Sequence, residues 1–233
     1  MAEHSLEKFL DAVHANQQAN RVNFPQWYSF IDKIDDCFVR AGSNLTNPKP
    51  VMTGSLLLRC QYAFKTAAGM GLAGQIVEVF AMLRSTLECA GYALTIFDTP
   101  ALENVFIGRH VGPDEMKAQK EAFKIRAVRA AIARKDAKLA DIFDDLYQRA
   151  IDFGGHPNPH GAFSAMVLDE RDDQTGMTIV GMSNDPKNIT HALKSTAQVG
   201  LTALHIFQQV FKAKFELLGI KQDLEALRNT GML

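Results

Sequence analysis

The chain has 233 residues, of which 47% are apolar and 22% charged, and its formal net charge is −1. These values are typical of globular proteins and exclude fibrous and disordered classes, so we expect residues 1–233 to form a single domain around one core. The near-neutral charge gives no overall attraction for nucleic acids or membranes, so any such surface would have to be local.

Helical periodicity of apolar residues predicts most of the secondary structure. A first helix is expected at about 5–18, and a second follows Pro25, where apolar residues recur every three or four positions until "AGSN" ends the segment. A third helix is expected at about 52–68. The next, from Gln75 to Phe97, has an apolar stripe with few charges, so we expect it to be the central helix of a bundle.

The second half of the chain is also predicted to be mainly helical. Shorter helices are expected at about 99–109, 114–134 and 136–153. The last long helix begins near Pro186, and its apolar residues repeat at steps of four and three up to Gly219, which is typical of a bundle seam.

One segment, "AMVLDERDDQTGMTIVGM" at 165–182, breaks the helical pattern. Its two β-rich runs flank a polar, glycine-containing turn, which predicts a β-hairpin. A lone two-stranded hairpin is marginal in water, so it must pack on the bundle or pair with a second copy, and we predict a homodimer through 165–182. The predicted fold is an all-α bundle of about seven or eight helices with this hairpin inserted.

The cysteines and the apolar segments indicate the compartment. Cys37, Cys60 and Cys89 are odd in number and show no CxxC spacing, so we interpret them as reduced core thiols of a cytoplasmic protein. The start, "MAEHSLEKFLDAV", is acidic and amphipathic, and we expect no signal peptide. The longest stretch without Asp, Glu, Lys or Arg, 195–211, is too short to span a bilayer, so no membrane partner is expected.

The segment "GMGLAG" at 69–74 matches the G-x-G-x-x-G pattern of dinucleotide-binding proteins. Dinucleotide binding needs these glycines between a strand and a helix, but the residues before them step like a helix and no βαβ unit is visible. We therefore interpret 69–74 as a connection between two helices, and we expect no cofactor.

Two charged patterns allow both a functional and a structural interpretation. Arg84 and Glu88 lie one helical turn apart beside the apolar stripe of the central helix, where they form either an ion pair or part of a site. In the basic run from Lys117 to Lys138, the lysines that share an arc of about 60° at helical spacing could follow RNA phosphates, and these are Lys117, Lys120, Lys124 and Lys135. We favour a solvated face whose charge is offset by acidic residues at 141–145.

The segment "GGHPNPHG" at 154–161 ends the preceding helix, because two glycines and two prolines follow each other there. His156 and His160 are candidates for capping or metal binding, but the prolines exclude the helical spacing that metal-binding histidine pairs normally have, so we predict no metal. In "RAIDFGGH", Arg149 precedes His156, and a guanidinium that holds a phosphate beside an imidazole suits metal-independent cleavage of RNA.

These residues resemble the HEPN superfamily, compact helical domains that often dimerise. In active members an Arg and a His, with four to six residues between them, cleave RNA without metal. The chain also resembles bacterial helical proteins with an R-x-x-x-E helix, here "RSTLE", followed by a Tyr and a His-Pro-Asn loop, here Tyr147 and "HPN". The resemblance implies that His156 and Arg149 act on RNA, with Arg84 and Glu88 orienting the site. Ala150 stands where active HEPN nucleases usually carry a polar residue, so a noncatalytic helical module that binds a protein or small ligand is the alternative.

Overall fold

The computed structural model of the protein describes residues 5–155, 159, 166–171, 174–179 and 181–232. For 166–171 and 174–179 it describes the backbone alone. The predicted site residue His156 and its neighbour His160 lie outside this part of the chain.

Eleven α-helices form the body of the molecule over the described residues. A 3-10 turn at Gly108–His110 follows the fifth helix, and a π-helical turn at Ile151–Gly155 follows the eighth. In chain order the helices are α1 Leu6–Asn23, α2 Pro25–Ser43, α3 Val51–Ala73, α4 Ile76–Asp98, α5 Leu102–Ile107, α6 Pro113–Ala122, α7 Ile125–Lys135, α8 Ala137–Ala150, α9 Pro186–Val210, α10 Lys212–Leu217 and α11 Ile220–Arg228.

Local sequence signals explain where several helices begin and end. The Asp136 side chain accepts a hydrogen bond of 3.0 Å from the Leu139 N–H and caps α8. Gly74 ends α3 with a φ of 82°, and a Cβ there would lie 2.4 Å from the Ser183 carbonyl oxygen, so both the backbone conformation and the space require glycine.

The core is a single apolar cluster centred on α4, as predicted. Helix α4 packs against α3 along its length and also against α7, α8 and α9. Close approach of the helices depends on small residues: a Cβ on Gly200 of α9 would lie 2.4 Å from the Phe64 ring of α3. The largest fully buried side chains belong to this cluster, and the aromatic ones are Phe38, Phe64, Phe80, Phe143, Phe207 and Phe215.

The all-α class fits the structure, but the predicted architecture is wrong. Over the residues described there are eleven α-helices rather than seven or eight, and the body that they form is entirely helical. The prediction of seven or eight helices with a β-hairpin inserted among them at about 165–182 is therefore wrong. Residues Met166–Arg171 (β1) and Gln174–Ile179 (β2) are paired with each other in an antiparallel ladder. Two strands bury too little surface to form a layer of their own, so the helices alone make the core.

Three helix predictions also need correction. The segment 114–134 is two helices, α6 and α7, because Lys124 takes extended backbone angles, with φ −56° and ψ 141°. Gly69 and Gly71 lie within α3, so only Gly74 and Gln75 connect α3 to α4. Helix α11 after Gly219 was not predicted. None of the helices described is long and apolar enough to cross a bilayer.

Candidate functional site

Arg84, Glu88 and Tyr147 form one hydrogen-bonded group, which we call the Glu88 cluster. Arg84 Nε donates to Glu88 Oε1 over 2.9 Å, and the Tyr147 hydroxyl donates to the same oxygen over 2.9 Å. The guanidinium carbon of Arg84 also lies 5.5 Å from the Tyr147 ring centroid, within the range of a cation–π contact. The structure therefore joins the R-x-x-x-E pair of α4 to the tyrosine of α8.

The Glu88 cluster is half-buried, and its electrostatics follow from that position. The side chains of Arg84 and Glu88 are 25% and 27% exposed. Burial lowers the pKa of Arg84, but the hydrogen bond and charge of Glu88 outweigh burial and raise it. Burial and the Glu88 charge raise the pKa of Tyr147. The cluster is thus a fixed ion pair with a neutral phenol at neutral pH.

Tyr92, one turn beyond Glu88 on α4, extends this polar face. Burial and the charge of Glu88 raise the pKa of Tyr92 to about 12. Its ring packs on Phe106 and Phe123, with centroid distances of 6.2 and 4.9 Å. Tyrosine rings beside an oriented guanidinium are groups that proteins use to bind nucleobases and phosphates.

Arg149 has different partners from the Glu88 cluster. Its Nη1 donates to Gln198 Oε1 of α9 over 2.9 Å, and its Nη2 pairs with Asp145 over 2.7 Å. Arg149 and Tyr147 lie about 200° apart around α8, because they are two residues apart in a helix. Tyr147 accordingly reaches α4, whereas Arg149 reaches α9.

The imidazole that the structure describes near Arg149 is His191 of α9. Its ring lies 5.7 Å from the Phe80 ring and 5.0 Å from the Phe153 ring, centroid to centroid. Burial lowers the pKa of His191, and the charges of Arg149 and Lys194 lower it further. His191 was not among the residues predicted from the sequence, although polar residues at 191, 194 and 198 interrupt the apolar face of α9 at helical spacing.

The segment that carries His156 begins at a defined place in the fold. Gly154 has a φ of 149°, and a Cβ there would lie 2.3 Å from the Val77 carbonyl oxygen, at the start of α4. Ser183 precedes α9. Its N–H donates to the carbonyl of Gly74, which lies just before α4, over 2.7 Å. Gly154 and Ser183 therefore both lie at the N-terminal end of the central helix α4.

The four predicted RNA-contacting lysines do not lie on one helix. Lys117 and Lys120 are exposed on α6, whereas Lys124 precedes α7 and Lys135 ends it. Lys124 pairs with Glu121 over 2.6 Å, and Lys135 pairs with Asp98 over 2.7 Å. The arc calculated for one continuous helix from Lys117 to Lys135 therefore does not apply.

The neighbouring acidic segment also has basic partners. Arg129 of α7 pairs with Asp141 and Asp144 of α8, with N–O distances of 2.7 and 3.3 Å.

The described part of the chain brings together no three His, Cys, Asp or Glu side chains placed to hold a metal ion.

Comparison with known proteins gives no further assignment. No protein-family model, curated protein or solved structure matches this chain.

Proposed function

We propose that this chain is a HEPN-like protein that acts on RNA without a metal ion. In this proposal His156 is the acid or base and Arg149 holds the reacting phosphate, while Arg84 and Glu88 are positioning residues. The observation that carries the proposal is the Glu88 cluster, in which Glu88 holds Arg84 and Tyr147 in one orientation. Because Arg84 is already oriented, little entropy is lost when it helps to position the RNA.

The proposed reaction is transfer within the RNA backbone. A base removes the proton of a 2′-hydroxyl, the 2′-oxygen forms a bond to the adjacent phosphorus, and the bond to the 5′-oxygen breaks as an acid supplies its proton. The products are a 2′,3′-cyclic phosphate and a 5′-hydroxyl end. An imidazole has an ordinary pKa near 6.5 and can exchange protons at neutral pH.

The test is cleavage of a labelled single-stranded RNA in excess chelator, with the cyclic phosphate end as the readout. We expect cleavage by the wild type, and loss of cleavage in His156→Ala and Arg149→Ala. His14→Ala is the matched control, because His14 is exposed on α1 and has no role in the proposed reaction. Absence of cleavage by the wild type on diverse RNAs contradicts the catalytic proposal.

The positioning role of Glu88 needs its own readout. Because Glu88 orients Arg84, we expect Glu88→Gln to lower kcat more than it raises KM, and Glu88→Asp to recover part of the loss. A purely structural role predicts lower thermal stability and unchanged kinetics per folded molecule.

A noncatalytic helical module is the second candidate, and the ion pairs favour it. Arg149, Lys124 and Lys135 each have an acidic partner, which reduces the positive charge available to RNA. This candidate predicts negligible RNA affinity at physiological salt and a lower melting temperature for His156→Ala. Tight, salt-dependent RNA binding contradicts it.

Two further parts of the proposal concern assembly and location. A homodimer through 165–182 predicts a native mass of two chains that falls to one when this segment is deleted from a protein that stays helical. A cytoplasmic location is proposed because Cys37, Cys60 and Cys89 are free and buried, and cell fractionation tests it.

A further inference from the structure

A row of polar residues interrupts the buried surface of α9. His191, Lys194 and Gln198 are half-buried on a helix whose intervening residues 192–193, 195–197 and 199 are buried. The three side chains share an arc of about 60°, since their positions differ by three and four residues. They therefore form one narrow polar strip along the helix.

Helix α8 contributes a cation to this strip. Gln198 accepts from Arg149 Nη1 over 2.9 Å, which fixes the guanidinium across the groove between α8 and α9. The Arg149 side chain is 30% exposed, so one side of it remains in contact with solvent. The charges that act on His191 are those of Arg149 and Lys194, both cations, whereas its ring neighbours Phe80 and Phe153 are uncharged.

An unpaired buried hydroxyl lies beside the same strip. Ser195, one turn after His191, is 2% exposed, and its Oγ has no hydrogen-bond partner within the described structure. Buried hydroxyls normally have a partner, so the free hydrogen-bonding capacity of Ser195 is unusual. On α9, Ser195 lies about 40° from His191, on the inner edge of the strip.

We propose that Arg149, His191 and Lys194 form a binding site for a phosphate group in the groove between α8 and α9. Two cations and an imidazole are the groups that bind phosphate oxygens, and the flat guanidinium can donate two parallel hydrogen bonds. Phe80 and Phe153 hold the imidazole ring in place. This site adds a phosphate-binding surface to the proposed function. It rests on that function only in identifying the natural ligand as an RNA phosphate.

Asp145 competes with the phosphate for Arg149. Its carboxylate pairs with Nη2 over 2.7 Å and is 67% exposed, so water screens this ion pair. Phosphate binding replaces an exposed carboxylate with an anion that also reaches His191 and Lys194. Removal of the Asp145 carboxylate should therefore strengthen phosphate binding. If Arg149 had only a structural role, the same change should destabilise the contact between Arg149 and its neighbours and leave phosphate binding unimproved.

Phosphate binding and protonation of His191 are linked. A bound anion favours the charged imidazole, so the pKa of His191 rises when phosphate binds, and phosphate binds more tightly as the pH falls through that range. Arg149 from α8 and Lys194 from α9 oppose protonation of the free protein. A bound phosphate neutralises the positive charges of Arg149 and Lys194 and so removes their effect on the imidazole.

The experiment is an NMR pH titration of the intact protein with and without inorganic phosphate, with the His191 signal assigned by His191→Gln. We expect phosphate to raise the pKa of His191, Arg149→Gln to weaken phosphate binding about tenfold, and Asp145→Asn to strengthen it. Lys194→Gln removes the second cation and should also weaken phosphate binding. Arg129→Gln is the matched control, because Arg129 also pairs with aspartates but lies on α7.

An unchanged His191 titration in saturating phosphate overturns the proposed site. Equal weakening of phosphate binding by Arg129→Gln and Arg149→Gln also overturns it. The two proposals can fail separately. Phosphate binding without RNA cleavage rejects the proposed catalysis and keeps the site, whereas RNA cleavage with an unresponsive His191 rejects the site alone.

Discussion

The Tyr147 hydroxyl donates a 2.9 Å hydrogen bond to Glu88, and this bond joins α8 to the central helix α4. The same carboxylate oxygen accepts from Arg84, so the three side chains depend on one another. This bond connects the R-x-x-x-E motif to Tyr147, which lies 59 residues after Glu88 in the sequence.

Tyr147→Phe should lower the free energy of unfolding by about 1 kcal/mol, because it removes one hydrogen bond to a charged group and keeps the ring. Glu88→Ala should cost more, about 2 to 3 kcal/mol, since it leaves a half-buried guanidinium without its carboxylate. Urea denaturation measures both. Tyr62→Phe, at a residue 65% exposed, is the control and should change stability little. Equal effects of the two tyrosine variants contradict a role for the Tyr147 hydroxyl.

Gly200→Ala should destabilise the fold by about 1 to 3 kcal/mol, because the added methyl group overpacks the contact between α9 and α3. Its Cβ would lie 2.4 Å from the Phe64 ring and 2.9 Å from Ile34. Gly108→Ala is the matched control, since nothing lies within 4 Å of the added Cβ. The measurement is the thermal midpoint of each variant. A Gly200→Ala protein as stable as the control would show that the two helices can separate without cost.

The sequence predicted the helices whose apolar faces are long and regular. In α2, α4 and α9 the spacing of buried residues states directly which side faces the core, and burial of that side stabilises the helix. The break at Lys124 was not predictable in this way, because neither glycine nor proline marks it and the apolar residues continue on both sides. Backbone angles at such a position depend on packing with other helices.

The candidate site was predicted in part. The proximity of Arg84 and Glu88 follows from one helical turn, whereas the contact of Glu88 with Tyr147 depends on how α4 and α8 pack. The partners of Arg149 could not be predicted, because sequence distance says nothing about direction around α8. Its partner Gln198 belongs to a helix about fifty residues later, and periodicity cannot identify partners across that distance.

The two half-buried histidines of α9 should make the protein less stable in mild acid. Burial lowers the pKa of both His191 and His205 in the folded state. The unfolded chain, with histidine pKa values near 6.5, then binds more protons than the folded chain, so stability falls as the pH decreases below about 6.5.

Urea denaturation at pH 7.5 and pH 5 measures this effect, and His205→Gln should reduce it. Asp98 also has a lowered pKa, from its bonds to Lys135 and Arg134, but it loses its charge only below the ordinary carboxylate range. Its contribution is therefore constant between the two pH values. Stability that rises from pH 7.5 to pH 5 contradicts the prediction.

Arg40 of α2 holds the C-terminal helices against the body. Its Nη1 donates to the Leu218 carbonyl at the end of α10 over 2.9 Å, its Nη2 pairs with Asp223 of α11, and its Nε pairs with Asp36 over 2.8 Å. A guanidinium that bridges two helices and a helix end cannot be replaced by a point charge, since each bond uses a different nitrogen. Arg40 thus connects α2 to residues that lie about 180 positions later in the chain.

Arg40→Ala should therefore loosen α10 and α11 and leave the central helices unchanged. Loss of the charged bonds should accelerate amide exchange in α11 by about tenfold, since these partly exposed bonds contribute about 1 to 2 kcal/mol together. Hydrogen–deuterium exchange with peptide resolution measures this. Lys221→Ala is the control, because the Lys221–Glu216 pair is 4.0 Å long and lies within the same C-terminal region. Acceleration spread evenly over α4 and α11 would indicate global destabilisation instead, because a local clamp on the C-terminal helices releases only the segment that it holds.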